Sequence, residues 1–62
     1  MTVFLLFLTM VDGDVEVYVF GDEDLARKNM EDAEIEYGEY LADAEIISTV
    51  LNSPVAYYPS LH

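Results

Sequence analysis

The first third of the chain predicts two β-strands joined by a tight turn. Thr2 to Val11 is apolar on both faces of an extended segment, which is typical of a central strand covered on both sides. Asp12-Gly13 follows, and this dipeptide favours a hairpin turn because glycine tolerates a positive φ angle. From Asp14 to Phe20, valine alternates with other residue types at the period of two that a strand requires. The pattern therefore predicts a β-hairpin.

The spacing of apolar residues becomes helical after Gly21. Asp22 has the short acceptor side chain of an N-cap, and the acids after it complement the positive end of a helix dipole. From Leu25 onward, the charged residues lie mostly opposite a less polar face. Gly38 is a C′ residue at which the helix is expected to end. The less polar face comprises Leu25, Ala26, Asn29, Met30, Ala33 and Tyr37.

The segment from Glu39 to Leu51 is ambiguous. Its apolar residues fit a helical stripe, but residues 46–50 form a β-favouring run. We predict a third strand from about Ala44 to Leu51, because a hairpin with one helix is only marginally stable. A helix is the alternative. The tail, Val55 to His62, is expected either to pack on the outer face of the sheet or to stay loose.

These elements predict an α+β fold of β-β-α-β order, with a small antiparallel sheet and one helix across one face. Residues 1–62 form a single domain in this interpretation. Because one helix cannot cover both faces of the first strand, we expect the tail, a second copy or a target to cover the other face. The apolar start lacks a basic region and a cleavage site, so we interpret it as a strand and not as a signal peptide.

Charge is the dominant feature of the composition. Thirteen acids and two bases give a formal net charge of −11 on 62 residues, although 53% of the residues are hydrophobic. The apolar content argues against disorder. Direct binding to nucleic acids or to anionic membranes is excluded, because both need Lys and Arg. The two bases can pair within the helix, Arg27 with Glu23 and Glu31, and Lys28 with Asp24 and Asp32.

The residue types needed for catalysis and for cofactors are scarce. There is no cysteine, and the one histidine is His62, the last residue of the sequence. We therefore expect no enzymatic activity, no cofactor and no metal site. Asp12-Gly13-Asp14 is similar to the start of a calcium loop, but Val17 stands where an EF-hand needs glycine, so a hairpin turn is favoured.

Five tyrosines are candidates for either the core or an interface, since tyrosine is enriched at binding hot spots. For Tyr18 and Tyr37 the two interpretations are equally balanced. Tyr40, Tyr57 and Tyr58 favour an interface.

The acids gather at the hairpin, at the helix start, on the exposed helix face and just beyond it. Rows of carboxylates on a rigid body can imitate a phosphate backbone. In size, lack of cysteine, acid clusters and hairpin-helix pattern, the chain resembles small acidic phage-encoded inhibitors, such as anti-CRISPR and other DNA-mimic proteins. The expected contact residues are Asp12, Asp14, Asp22, Glu23, Asp24, Glu31, Asp32, Glu34 and Tyr40.

The resemblance implies a non-enzymatic inhibitor that occupies the basic nucleic-acid groove of a CRISPR effector or other nuclease in the cytoplasm of a bacterial host. A structural or regulatory interaction domain, as a homodimer for example, is the main alternative. An acidic protein adapted to high salt and an antitoxin-like or sigma-factor-like regulator are the others. The salt dependence of binding distinguishes these alternatives, because binding by phosphate mimicry weakens as the salt concentration rises and binding through an apolar interface does not.

Overall fold

A computed structural model describes residues 1–51 of the chain. It contains, in order, strand β1 (Thr2–Met10), strand β2 (Val15–Phe20), helix α1 (Glu23–Tyr37), a 3₁₀ turn (Gly38–Tyr40) and strand β3 (Leu41–Val50). The predicted α+β fold with β-β-α-β order is confirmed. The expectations for the tail, including the interface roles of Tyr57 and Tyr58, lie outside the described residues.

The three strands form one antiparallel sheet in the order β2-β1-β3. β1 is central, as its apolar sequence predicted. It pairs with β2 from Phe4↔Phe20 to Thr9↔Val15. It also pairs with the full length of β3, with one irregularity between Thr9 and Met10. The hairpin thus runs from one end of the sheet to the other, and α1 starts at the end where β2 stops.

β3 is a strand, as predicted, but it begins at Leu41 and not near Ala44. The helical alternative for this segment is wrong. The physical reason lies in β1, whose nine residues offer a long row of backbone donors and acceptors that a longer β3 satisfies. The 3₁₀ turn leads directly into this pairing, and the Val11 amide donates to the Tyr40 carbonyl at 2.8 Å.

The turns and caps that the sequence predicted are formed. Gly13 has a φ of 99°, a value that favours glycine, and the Asp14 amide donates to Asp12 Oδ1 at 3.0 Å. Asp22 has extended backbone angles, and its Oδ1 accepts from the Asp24 amide at 3.2 Å. At the other end of α1, Gly38 has a φ of 53° and its N–H donates to the Glu34 carbonyl.

The core lies between the sheet and α1. Leu6 and Leu8 of β1 are almost fully buried against Ala33 of the helix. Ala26, also on α1, is fully buried. Alanine at these positions allows the helix to approach the sheet closely. Side chains from all three strands and α1 pack around this centre: Met10, Phe20, Met30, Tyr37, Leu41, Ala44 and Ile46.

One residue expected on the buried helix face is not there. Leu25 is 48% exposed, although it was grouped with Ala26. The helix contacts a sheet only three strands wide, so residues at the margin of its apolar face extend past the sheet.

The side of the sheet away from α1 is apolar and largely uncovered by the described residues. The strand register places on it Val3, Leu5 and Phe7 of β1, Val15, Val17 and Val19 of β2, and Asp43, Glu45, Ile47 and Thr49 of β3. We call it the open face. The three valines of β2 are 49–57% exposed, whereas Glu16, Tyr18 and Phe20 face the helix side. β2 thus presents its larger side chains, and its one acid, to α1.

Candidate protein-binding interface

Helix α1 presents most of its charged side chains to solvent. Because Ala26 and Ala33 fix its inner face, the helical period places Asp24, Lys28 and Glu31 on the outer side. The flanks are also acidic. Asp32 and Glu36 line a shallow cleft on the β2 side, and Glu34 lines another on the β3 side. All these residues are exposed, and we call this surface the acidic helix side.

The density of acids along α1 is close to that of phosphates along a DNA strand. Six acids lie within the 15 residues of the helix. A helix of this length extends about 22 Å, so one acid occurs per roughly 3.7 Å, and one strand of DNA carries one charge per roughly 3.4 Å. The Asp22 cap adds a further carboxylate at the start. The acids are not evenly spaced, since Glu23 and Asp24 lie in the first turn and the other four in the last two turns, with Arg27 and Lys28 between the two groups.

The two bases reduce this negative charge only partly. Arg27 Nη2 lies 2.6 Å from Glu23 Oε2, in the i, i+4 pairing that the sequence predicted. Both side chains are more than half exposed, so the pair contributes only tenths of a kcal/mol. Among residues 1–51 it is the one ion pair formed, so the other possible pairs, Arg27 with Glu31 and Lys28 with Asp24 or Asp32, are not formed. Glu31, Asp32 and Glu34 form no ion pair with another of the described residues.

The expected contact residues do not form a single patch. Asp22, Glu23 and Asp24 lie at the end of the sheet where β2 stops. Asp12 and Asp14 lie at the opposite end, in the turn between β1 and β2. Tyr40, which is 72% exposed, joins that end through the hydrogen bond of its carbonyl to Val11. Glu31, Asp32 and Glu34 lie between the two ends on α1.

A shared carboxylate ties β2 to α1. Glu16 Oε1 accepts from the Tyr18 hydroxyl at 2.7 Å and from the Tyr37 hydroxyl at 3.4 Å. The hydrogen bond from its hydroxyl to Glu16 is the main cause that raises the pKa of Tyr18, with partial burial adding to it. The negative charge of Glu16 is the main cause that raises the pKa of Tyr37. Both phenols therefore remain protonated donors.

Sequence reasoning missed this three-residue contact. In the sequence Glu16 follows the acids of the hairpin turn, whereas the register of β2 turns its side chain towards α1. Glu16 and Tyr37 are 21 positions apart, so no local spacing could have indicated the contact. The structure also indicates that Tyr37 packs against the core, although its hydroxyl reaches the edge.

An exposed isoleucine on the acidic helix side was missed as well. Ile35 is 82% exposed, and it follows Glu31 by four residues, which puts it on the same outer stripe. An apolar residue among acids on the outer stripe was the signal in the sequence. Interfaces between proteins commonly combine a central apolar residue with a polar rim.

The arrangement is suited to recognition by charge. Among residues 1–51, no group of three Asp, Glu, His or Cys side chains is placed to hold a metal ion, and no buried side-chain polar atom lacks a partner. No helix within the same range is long and apolar enough to cross a membrane. The exposed carboxylates can accept hydrogen bonds from Lys and Arg and pair with their charges.

Comparison with known proteins found no match among protein-family models, curated proteins or solved structures.

Proposed function

We propose that this protein is a non-enzymatic inhibitor that binds the basic nucleic-acid-binding groove of another protein through its acidic helix side. The exposed acids of α1 carry the proposal, because their average density along the helix axis is close to that of phosphates along a DNA strand. The target class is a CRISPR effector complex or another nuclease, in the cytoplasm of a bacterial host. The protein would compete with DNA by occupying the same groove.

The energetics of such binding come mainly from charge. A groove that binds DNA is lined by Lys and Arg, and a net charge of −11 accelerates the encounter with such a surface. The acids are held on a capped helix, so little conformational entropy of the backbone is lost on binding. Only one of the helix acids is engaged in an ion pair with another of the described residues.

Ile35 adds a contact that a phosphate backbone does not have. Its side chain is 82% exposed next to the acids of the outer stripe. An apolar cavity at the edge of the basic groove would bury it, which favours a specific protein partner over any polycation.

A competition experiment tests the proposal. Purified nucleases and CRISPR effector complexes are loaded with fluorescent DNA, and the full chain is added at low and at high salt. We expect displacement of the DNA from at least one target, with an apparent affinity that falls steeply as salt rises. If none of the panel releases DNA at low salt, the proposal is wrong for these targets.

Two charge-reversed variants provide a matched control. Glu31→Lys with Asp32→Lys alters the acidic helix side, and Asp43→Lys with Glu45→Lys alters the open face. Each variant changes the net charge from −11 to −7. We expect the helix variant to lose at least about tenfold in affinity for the target, equal to about 1.4 kcal/mol, and the open-face variant to lose much less. Equal losses would mean that net charge, and not this surface, drives binding.

The second candidate function is a regulatory or structural interaction domain that binds through the open face. The exposure of Val15, Val17 and Val19 favours it, because contiguous apolar surface often marks an interface. A partner recruited in this way would stay bound at high salt. It would also be insensitive to the Glu31→Lys, Asp32→Lys variant.

A further inference from the structure

A cleft between α1 and β2 combines apolar, aromatic and acidic side chains. It has a volume of about 290 Å³ and is open to solvent. Cavities that enclose a whole small molecule measure about 300–1,000 Å³, so an open cleft of this size is suited to a single side chain of a partner. We call it the β2-side cleft. Its lining includes Leu6, Leu8, Tyr18, Tyr37, Asp32 and Glu36.

The floor of the β2-side cleft is apolar. Leu6 and Leu8 of the central strand are almost fully buried beneath it. Tyr18, which is 45% exposed, and Tyr37 supply aromatic rings to its walls. Such a lining can bury the methylene stem of a long basic side chain, which carries its charge at the far end. It also allows a guanidinium group to stack on an aromatic ring.

The polar groups that line the cleft are mainly acceptors. The hydroxyls of Tyr18 and Tyr37 both donate to Glu16. An amide N–H of Asn29, which also lines the cleft, donates to the backbone carbonyl four positions earlier at 2.9 Å. Ionised carboxylates can only accept hydrogen bonds. The cleft therefore complements an occupant that carries several donors.

Asp32 and Glu36 bring two negative charges to the same cleft. The two residues are one helical turn apart, and like charges at this spacing repel each other. Neither carboxylate forms an ion pair within residues 1–51. Arg27, which is paired with Glu23, lies instead in a cleft on the β3 side of α1. A cation at the β2-side cleft would relieve the repulsion.

The cation for the β2-side cleft has to come from another molecule. The whole sequence contains two bases, Arg27 and Lys28. Arg27 is engaged on the β3 side, and Lys28 points to the outer side of α1 without an ion pair to another described residue. A second copy of the chain is a poor source, because it brings the same two bases together with a net charge of −11.

We propose that the β2-side cleft receives one arginine side chain of the target protein. Its methylene stem would lie on Leu6 and Leu8, and its guanidinium group between Asp32 and Glu36. Arginine is favoured over lysine, because its planar group can bind a carboxylate through two hydrogen bonds and stack on a tyrosine ring. The inference rests on the proposed function for its class of partner, since a groove that binds DNA presents such side chains.

Titration of the full chain with short blocked peptides tests the site without any target. The first tripeptide has arginine between two glycines, and two others replace arginine with lysine or with citrulline, its uncharged isostere. In uniformly isotope-labelled protein, we expect the arginine peptide to shift the signals of Leu6, Leu8 and Tyr18 and to reach saturation. The lysine peptide should bind severalfold more weakly, and the citrulline peptide should leave these signals unchanged. Equal binding of the arginine and lysine peptides, or shifts confined to the outer acids of α1, would overturn the inference.

Two variants of equal charge provide a matched control. Asp32→Asn with Glu36→Gln neutralises the cleft, and Asp43→Asn with Glu45→Gln neutralises two acids of the open face. All four side chains are exposed, so both variants should fold, and each changes the net charge from −11 to −9. We expect the cleft variant to lose at least about tenfold in affinity for the arginine peptide, and the open-face variant to lose much less. Equal losses would show that general attraction of cations accounts for the binding, and would overturn the inference.

The outcome at a target separates the arginine site from the inhibitor function. If the cleft variant displaces DNA from a target as well as the unsubstituted protein does, the arginine site is wrong and the inhibitor function stands. If the arginine peptide binds the cleft but no target releases DNA, the inhibitor function is wrong and the arginine site stands for a basic partner of another class.

Discussion

The two sides of the sheet differ in how far their apolar residues are shielded from water. On the helix side, α1 buries Leu6 and Leu8 and presents carboxylates to water. On the open face, the described residues leave Val15, Val17 and Val19 about half exposed, with Asp43 and Glu45 at one edge. The comparison separates two kinds of binding within one small domain. The acidic helix side is suited to recognition by charge, and the open face to apolar contact.

The largest expected effect is on the core that joins α1 to the sheet. Leu6→Ala removes a side chain that is 1% exposed and should lower the free energy of unfolding by about 2–5 kcal/mol. In a domain of 62 residues this is a large fraction of the stability. Chemical denaturation followed by circular dichroism measures it. Val15→Thr, on the open face, should change the same quantity by less than about 1 kcal/mol. Similar losses in both variants would show that the open face is buried as well as the core.

The next largest effect concerns the apolar contact on the acidic helix side. Ile35→Ser should weaken binding to the target by about tenfold without lowering stability, because its side chain is 82% exposed. The competition assay with labelled DNA measures this change. Val15→Ser is the matched control on the open face, and it should bind as the unsubstituted protein does. If only Val15→Ser weakens binding, the interface lies on the open face and not on the acidic helix side.

A smaller effect is expected at the start of α1. Asp22→Ala removes the acceptor for the Asp24 amide and should cost about 0.5–2 kcal/mol of unfolding free energy. Asp22→Asn keeps the cap and removes the charge, so it should retain most of the stability. If Asn destabilises as much as Ala, the charge at this helix end matters more than the hydrogen bond.

The smallest effect is a dependence on alkaline pH. The pKa values of Tyr18 and Tyr37 are raised above the ordinary 10.0 in the folded chain, so folding favours the protonated phenols. Their contribution to stability is complete below pH 10 and is lost as the pH rises through the folded pKa values. The denaturation midpoint is measured at neutral pH and at strongly alkaline pH. Its fall between the two should be smaller in Tyr18→Phe and in Tyr37→Phe than in the unsubstituted protein. Tyr40→Phe, which lacks a contact to Glu16 among the described residues, should show the full fall. A Tyr18→Phe variant with an unchanged fall would contradict a shared role of Glu16.

Much of the fold could be predicted because local signals agreed with one another. Asp12-Gly13 specified the turn, Asp22 and Gly38 specified the ends of α1, and the apolar β1 specified a central strand. The start of β3 was placed too late. Residues 41–43 carry no strong strand signal, and pairing with β1 extended the strand to include them.

The candidate site could be predicted only in part. The exposed positions of Glu31, Asp32 and Glu34 followed from the helical period. The distance of Asp12 and Asp14 from the helix start depended on the direction of β2 across the sheet, which spacing does not give. The acids were expected as clusters, and the fold separates the hairpin acids from those at the start of α1 by the length of the sheet.

The sequence by itself determined the first hairpin, the ends of α1 and the negative charge, because turns, caps and periodicity depend on residues within a few positions of one another. Only the tertiary structure decided which face of each element is covered. A shift of one residue in strand register exchanges the two faces, and the pairing of Phe4 with Phe20 fixes that register. This pairing turns Glu16 towards Tyr37 and the valines of β2 away from the helix, so contacts between distant residues decided where each surface lies.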